Sequence, residues 1–251
     1  MGLTENFFEN VKKQADLIRD TQTASIKKAA ALAADAIKSG ALLYVYDRGH
    51  LLNQELLFRA GGLAITRKME FNLPSMKSSS TPPACRAKET DLTGYTEAFE
   101  DKCIEAAFIQ NCLKEGDVLF YNSVSGKCRV PISIAKTAKR LGIKLIILTN
   151  KATNERIAAR REEDKLYKYA DVHIDNCVQD GDASMTCEGV GERIVPMSGI
   201  SAAFVGWAFV SSLIEELLAR GISPTVYRSV SSEGGPEQLE VAKKRYDEMG
   251  Y

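Results

Sequence analysis

The chain has little of what marks several specialised protein classes. It has 251 residues, only two histidines and a formal net charge of zero, and it contains no long basic run. Broad nucleic-acid binding is therefore not expected, because it depends on clustered Lys and Arg that neutralise phosphates. The opening residues lack the apolar core of a signal peptide.

The six cysteines are widely scattered and none forms a C-x-x-C pair. Zinc-site spacing is absent, so neither a metal site nor another cofactor is predicted. Cys128 has no obvious neighbouring base, and a catalytic thiol is not expected there. The free thiols and the absence of a targeting segment favour a cytoplasmic protein.

The longest apolar stretch, Ile200 to Leu218, is interrupted by serines and glutamates. It predicts a buried core helix, and no membrane span is expected.

What the chain does contain is an alternation of short apolar runs with helical patterns. Runs of this kind are typical of strands buried on both faces of a parallel sheet. The pattern predicts one domain over residues 1–251, a three-layer αβα sandwich with a five-stranded parallel sheet. The five strand candidates are Ala41 to Tyr46, Leu63 to Thr66, Val118 to Tyr121, Ile143 to Leu148 and Asp171 to Ile174.

Other segments complete this organisation. Residues 1–40 are predicted to be largely helical, with an apolar stripe that must be buried somewhere. A helix is predicted from Leu51 to Ala60, ending at a pair of glycines. Residues 67–95 are rich in Ser, Pro and Thr, and they predict an inserted loop or lid. The charged stretch from Asn150 to Ala170 is interpreted as a solvated helix face.

The segment from Gly116 to Asn150 organises the chain as one strand–loop–helix–strand unit. Its loop holds Ser123, Ser125, Gly126 and Lys127. A helix N-terminus presents unpaired backbone N–H groups and favours an anion, and serine hydroxyls add further donors. The loop is therefore a candidate phosphate-binding loop, with the alternative that Ser125 only caps the helix.

Polar residues also follow the other predicted strands. The carboxyl ends of parallel strands meet at one edge, where open α/β sheets bind their ligands. The donors expected there suit a polyhydroxylated, phosphorylated small molecule. Beyond the serine loop, the candidates are Asp47, Arg48, Gly49, His50, Thr149, Asn150, Asp175, Asn176 and Ser198.

His50 and Glu55 are the candidate catalytic residues. His50 follows the first strand and titrates near neutrality, although a lone histidine is often only structural. Glu55 lies among apolar neighbours with Arg59 four residues on, which allows an ion pair. A carboxylate in such a place can act as a general base. His173 lies inside a strand pattern and is interpreted as structural.

The unit FYNSVSGKCRVPISIAKTAKRLGIKLIILTN resembles the central signature of SIS (sugar isomerase) domains, with its S-x-S-G loop, helix and following strand. Three further segments are similar to the phosphosugar or phosphoheptose isomerase-like subgroup. They are YVYDRGHLLNQELLFRAGGL, ADVHIDNCVQDGDASM and PMSGISAAFVGWAFVSSLIEELLARGISPTVYRS.

The resemblance implies a sheet of flavodoxin-like order, phosphosugar binding and a homodimer. It also implies that Ser123 and Ser125 hold the phosphate, that Ser198 faces the ligand, and that Glu55 is the base of an aldose–ketose isomerase. Relatives carry further Gly and Ser in the first loop, where Asp47 and Leu51 stand here. A non-catalytic phosphosugar sensor and an amino-sugar-phosphate lyase or etherase therefore stay open as alternatives.

Overall fold

A computed structural model of the protein describes residues 2–48, 52–71, 93–127, 129–156 and 165–251. Two of the predicted site residues, Gly49 and His50, lie outside these ranges.

A five-stranded parallel sheet forms the centre of the fold, in the order β2-β1-β3-β4-β5. Leu43 at the start of β1 pairs with Thr66 on one side and with Val118 on the other. The sheet confirms the predicted αβα class and its flavodoxin-like order. Its strands are β1 (Leu43–Asp47), β2 (Thr66–Lys68), β3 (Val118–Asn122), β4 (Lys144–Thr149) and β5 (Val172–Asp175).

A small antiparallel hairpin follows the sheet, with strands β6 (Ala183–Met185) and β7 (Ile194–Pro196). The α-helices of the described ranges are α1 (Leu3–Lys38), α2 (Leu52–Glu55), α3 (Thr93–Gln110), α4 (Arg129–Arg140), α5 (Lys151–Arg156), α6 (Ser198–Ala219) and α7 (Gly235–Met249). A short 3-10 helix covers Leu166–Tyr169.

The two faces of the sheet are covered by different helices. Successive strand residues point to opposite faces, so Val45 packs with α1 and α6 while Tyr44 packs with α3 and α4. Strands β1, β3, β4 and β5, the four main strands, are buried along most of their apolar residues. This is expected for a sheet that lies between two helical layers.

The N-terminal region is one continuous helix, and it lies against α6. Buried alanines line its C-terminal half, where small side chains let two helices approach closely. A second close approach places α2. A Cβ on Gly206 of α6 would lie 2.7 Å from Leu52 Cδ1 and 3.2 Å from Leu56 Cδ2, so a larger residue there would displace the ends of these leucine side chains.

Several predicted boundaries were wrong. The helix predicted from Leu51 to Ala60 is only Leu52–Glu55, and Phe58 beyond it has a left-handed φ of 55° that a helix does not allow. The second strand is Thr66–Lys68 rather than Leu63 to Thr66, because Leu63 instead bridges Val226.

The predicted loop over residues 67–95 is shorter at both ends. Its first residues belong to β2, and its last residues belong to α3. Residues 72–92, on which the lid prediction rests, lie outside the described ranges. The charged stretch after Asn150 forms the short helix α5 and the 3-10 helix, and residues 157–164 between them are not described.

Among the described helices, α6 is long and apolar enough to cross a membrane by length and composition. Its core-facing side chains Val205, Phe209 and Leu213 are buried against α1 and the sheet. A core helix of a globular protein meets the same criterion, but 39% of the apolar window of α6 is buried within this chain, so the predicted core helix is only partly buried.

Candidate functional site

Polar side chains end the four main strands at one edge of the sheet. Asp47 at the end of β1 lies in register with Asn122 at the end of β3. Thr149 at the end of β4 lies in register with Asp175 at the end of β5. The strand order reverses between β1 and β3, and ligands of open α/β sheets bind in the crevice at such a point.

Asp47 ties this crevice together. Its carboxylate accepts hydrogen bonds from Asn122 Nδ2 at 3.0 Å and from the Leu52 backbone N–H at 2.8 Å. The Arg48 backbone N–H donates to the Asn122 carbonyl at 3.1 Å, while the Arg48 side chain is exposed. The negative charge that replaces a family glycine therefore joins the first loop to β3 and α2.

The serine loop follows β3 and precedes α4. Ser123 is buried and its backbone N–H donates to the Leu148 carbonyl at 3.1 Å. Ser125 is half-buried and Lys127 is exposed. Within the described part of the chain, the hydroxyls of Ser123 and Ser125 have no hydrogen-bond partner. They are therefore available to an external acceptor or donor.

The next loop holds the serine loop in place. The Val124 carbonyl accepts from the Asn150 backbone N–H at 2.8 Å and from the Thr149 hydroxyl at 3.0 Å. Asn154, buried in α5, donates through Nδ2 to the Ser125 carbonyl and to Thr149 Oγ1. The Ser123 N–H and the Val124 and Ser125 carbonyls thus have partners inside the protein, while the two serine hydroxyls have none among the described residues.

Gly126 lies in the tightest part of this contact. Its φ is +57°, and a Cβ there would lie 2.8 Å from Asn154 Oδ1 and 2.9 Å from Leu166 Cβ. The glycine of the S-x-S-G pattern is therefore required for two reasons, its left-handed backbone and the lack of space for any side chain.

Asn176 extends the polar edge past β5 but lies inside the protein. Its Oδ1 accepts from Asn150 Nδ2 at 3.1 Å and from the Val178 backbone N–H at 3.2 Å. Its carbonyl accepts from Gln14 Nε2 of α1 at 2.9 Å and from the Ser201 hydroxyl of α6. Its buried Nδ2 has no partner within the described residues.

Ser198 is 1% exposed at the first residue of α6. Its hydroxyl donates to Asp182 Oδ2 at 2.6 Å, and its backbone N–H donates to Asp182 Oδ1 at 2.7 Å. Asp182 thereby satisfies the N-terminus of α6. The hydroxyl that the sequence predicts to face a ligand is already engaged by this carboxylate.

Glu55 lies at the end of α2 with a side chain 23% exposed. Its Oε1 accepts from Arg59 Nη1 at 3.0 Å, which confirms the predicted ion pair. Its Oε2 accepts a long hydrogen bond of 3.4 Å from the Trp207 indole N–H on α6. The carboxylate is held from two sides by donors, as a positioned acid or base requires.

The remaining titratable candidates contribute less. His173 is half-buried, with its Nε2 3.4 Å from the Thr149 carbonyl, and burial lowers its pKa below the usual range. This supports the structural interpretation. Across the described ranges, no group of three or more His, Cys, Asp or Glu side chains is arranged to hold a metal ion.

Comparison with known proteins identifies the family of this chain. Residues 6–150, more than half of the chain, match the model of the SIS domain. The chain belongs to the SIS domain family. Family membership supports phosphosugar binding and does not specify a reaction.

Relatives of similar length to this SIS protein are found in several bacteria. It is 30% identical to the UPF0309 protein of Shouchella clausii over 250 residues, covering 98% of this chain and 97% of that protein. It is 31% identical to a UPF0309 protein of Listeria monocytogenes over 242 residues, covering 94% and 93%.

Among solved structures, a phosphoheptose isomerase from Francisella tularensis superposes with a TM-score of 0.50 at 13% identity. The superposition covers 84% of this chain and 96% of the Francisella tularensis chain. At this identity the likeness shows the fold alone.

Three residues that contact the predicted site residues were not predicted from the sequence. Asn154, Asp182 and Trp207 contact the predicted site residues from segments remote in the chain. Only Trp207 carried a usable signal, because a buried indole N–H normally finds an acceptor. Asn154 and Asp182 lie in polar segments where nothing distinguishes them from solvated neighbours.

The packing around Gly126 predicts a large cost for Gly126→Ala. The left-handed backbone costs about 1–2 kcal/mol for any L-residue, and overpacking against Asn154 and Leu166 adds about 1–3 kcal/mol. We expect the free energy of unfolding, measured by urea denaturation, to fall by the sum of both terms.

Gly116→Ala is the matched control, since Gly116 has a φ of +89° and a Cβ at this position would have no neighbouring atom within 4 Å. This variant has only the cost of the left-handed backbone, so its free energy of unfolding should fall by about 1–2 kcal/mol. Equal losses in the two variants would contradict the close contact.

Proposed function

We propose that the protein binds a sugar phosphate in the crevice between the first loop and the serine loop. The supporting observation is that Ser123 and Ser125 present hydroxyls without partners in the described structure, on a loop held rigid by Asn154. The loop leads directly to the N-terminal side of α4, where the helix dipole favours a phosphate.

The other predicted residues take complementary parts in this proposal. The exposed side chains of Arg48 and Lys127 flank the loop ends and supply positive charge for the phosphate. Gly49 and His50, between Arg48 and α2, are proposed to face the sugar. Asn176 and Ser198 are buried and bonded inside the protein, so their proposed contribution is to shape the crevice wall.

The proposed reaction is an aldose–ketose isomerisation with Glu55 as the base. The Glu55 carboxylate would take a proton from the carbon next to the carbonyl and return it to the former carbonyl carbon. One hydroxyl proton would pass between the two oxygens, so that no atom is gained or lost. Arg59 and Trp207 hold the carboxylate for this transfer, and His50 is proposed to assist ring opening. The similar structure from Francisella tularensis is named a phosphoheptose isomerase, which agrees with this class of reaction.

Removing the two serine hydroxyls tests the binding site. We expect Ser123→Ala/Ser125→Ala to weaken the affinity for sugar phosphates at least tenfold, because hydrogen bonds to a charged group contribute about 1.5–3 kcal/mol. A thermal-shift screen against a panel of sugar phosphates identifies the ligand, and calorimetry then measures its Kd. Ser39→Ala, at the opposite end of the sheet from the serine loop, is the control. An unchanged affinity in the double variant would refute the proposed site.

Glu55→Gln tests the proposed reaction. The neutral amide can keep the contacts to Arg59 and Trp207 but cannot take a proton, so we expect turnover to fall by about 10²–10⁴-fold while ligand affinity is retained. The measurement is interconversion of the aldose and ketose phosphates together with the Kd of the ligand identified in the screen.

Glu216→Gln is the matched control, since Glu216 also pairs with an arginine four residues on, Arg220. Its turnover should equal that of the unmodified protein. If the unmodified protein binds sugar phosphates and converts none of them, the sensor alternative replaces the isomerase. Release of a carboxylic acid or water from an amino-sugar phosphate would favour the lyase or etherase.

We also propose that the protein is a homodimer in which α1 takes part. Leu3, Phe8 and Leu17, three large apolar side chains of α1, are 44%, 63% and 45% exposed. Phe8→Asp is expected to shift the monomer–dimer equilibrium towards the monomer at least tenfold, measured by sedimentation velocity over a range of concentrations. Glu9→Ala on the same helix should leave it unchanged, and a monomer at every concentration of the unmodified protein would exclude the dimer.

A further inference from the structure

A cavity of about 330 Å³ lies beside the edge strand β2, between the turn after α2 and the start of α7. Its lining has none of the described residues proposed to hold the phosphate, and it includes Arg59, which contacts Glu55. Its volume is near the lower end of the roughly 300–1,000 Å³ typical of small-molecule sites. The lining residues are Phe58, Arg59, Ala60, Tyr227, Arg228, Ser229, Val230, Leu239 and Lys243.

The two walls of the cavity are fixed to each other by backbone hydrogen bonds. The Gly61 N–H donates to the Tyr227 carbonyl and the Tyr227 N–H donates to the Gly62 carbonyl, both at 2.9 Å. On the far side, the Arg67 guanidinium of β2 donates to the Tyr246 hydroxyl of α7 at 3.2 Å. The cavity is therefore part of the folded framework rather than a gap between separate surface segments.

Three cationic side chains line the cavity, and no carboxylate does. Arg228 contacts the neutral side chain of Gln238. Lys243 pairs with Glu240 at 2.7 Å, but both side chains are more than half exposed and such a pair contributes little. Arg59 pairs with Glu55, outside the lining. The charge of the cavity is complementary to an anion.

Two aromatic rings complete the lining. The ring centroids of Phe58 and Tyr227 are 6.2 Å apart. Phe58 is 76% exposed and has a left-handed φ of 55°, a backbone conformation that costs about 1–2 kcal/mol for an L-residue. The fold thus holds a large apolar ring towards solvent at the mouth of a basic cavity, where a planar ligand group can stack on it.

We propose that this cavity binds a nucleoside monophosphate. The base would stack on Phe58 and Tyr227, and the phosphate would take charge-assisted hydrogen bonds from Arg228 and Lys243. Ser229 also lines the cavity, and its hydroxyl, which accepts from the Ser231 backbone N–H at 3.2 Å, would donate to the ribose.

Arg59 connects this cavity to the other site. Its guanidinium lines the cavity and also donates to Glu55 at 3.0 Å. A phosphate in the cavity competes for Arg59 and removes one of the two donors that hold the Glu55 carboxylate. Nucleotide binding is therefore expected to alter turnover, and this coupling alone rests on the proposed role of Glu55.

Calorimetry on the full-length protein with adenosine monophosphate, adenosine and inorganic phosphate tests the binding site. Adenosine monophosphate should bind at least tenfold more tightly than either of its parts. Arg228→Ala and Phe58→Ala should each weaken it about tenfold, the effect of losing one charge-assisted hydrogen bond or one stacked ring. Lys244→Ala, next to Lys243 but outside the lining, is the control and should bind normally.

The variant Ser123→Ala/Ser125→Ala separates this proposal from the proposed function. Unchanged nucleotide affinity in that variant supports the cavity whether or not the protein is an isomerase. A loss equal to that of Arg228→Ala would place the nucleotide in the phosphosugar crevice and overturn the proposal. Nucleotide affinity no greater than the affinity for inorganic phosphate would also overturn the proposal. A Phe58→Ala variant that loses self-association and keeps its nucleotide affinity would overturn it too, because the cavity would then be an interface between two copies.

Discussion

The close packing of Gly126 against Asn154 is the constraint on which the candidate site depends. Asn154 satisfies the carbonyl of Ser125 and the hydroxyl of Thr149, so one buried amide joins the loops that follow β3 and β4. That amide can approach only because position 126 has no Cβ. The loop carbonyls of Val124 and Ser125 have partners inside the protein, whereas the hydroxyls of Ser123 and Ser125 have none among the described residues.

The same division of labour runs along the whole polar edge of the sheet. Three side chains near strand or helix ends accept hydrogen bonds from neighbouring backbone N–H groups, namely Asp47, Asn176 and Asp182. Such groups are costly to bury without partners, and their partners here come from distant segments. These hydrogen bonds hold the polar groups in place without a ligand, so the edge of the sheet is ordered before any binding.

The Glu55 carboxylate connects α2 to α6 and to Arg59. Gly206 allows α2 to approach α6, and this approach brings the Trp207 indole to the carboxylate. Arg59 reaches the same carboxylate from the side of the second cavity. A base held by two donors from different elements is sensitive to movement of either one. The proposed nucleotide cavity and the proposed active site share this arginine–carboxylate pair as their only described connection.

The apolar runs of the sequence were sufficient to predict strands β1, β3, β4 and β5, because strands buried on both faces of a parallel sheet are short continuous apolar runs. They misplaced β2, because its residues Thr66–Lys68 are not such a run. The S-x-S-G loop was likewise visible as a pattern, and with it the family. The end of α2 was not visible as a pattern. It depends on the left-handed backbone of Phe58 and on the hydrogen bonds that the residues after it make with Tyr227, and both belong to tertiary packing. Sequence alone determined which residues bring hydroxyls and charge to one edge. Tertiary structure decided which of them stay available, because hydrogen-bond partners such as Asn154 and Asp182 come from segments that no local pattern connects to the site.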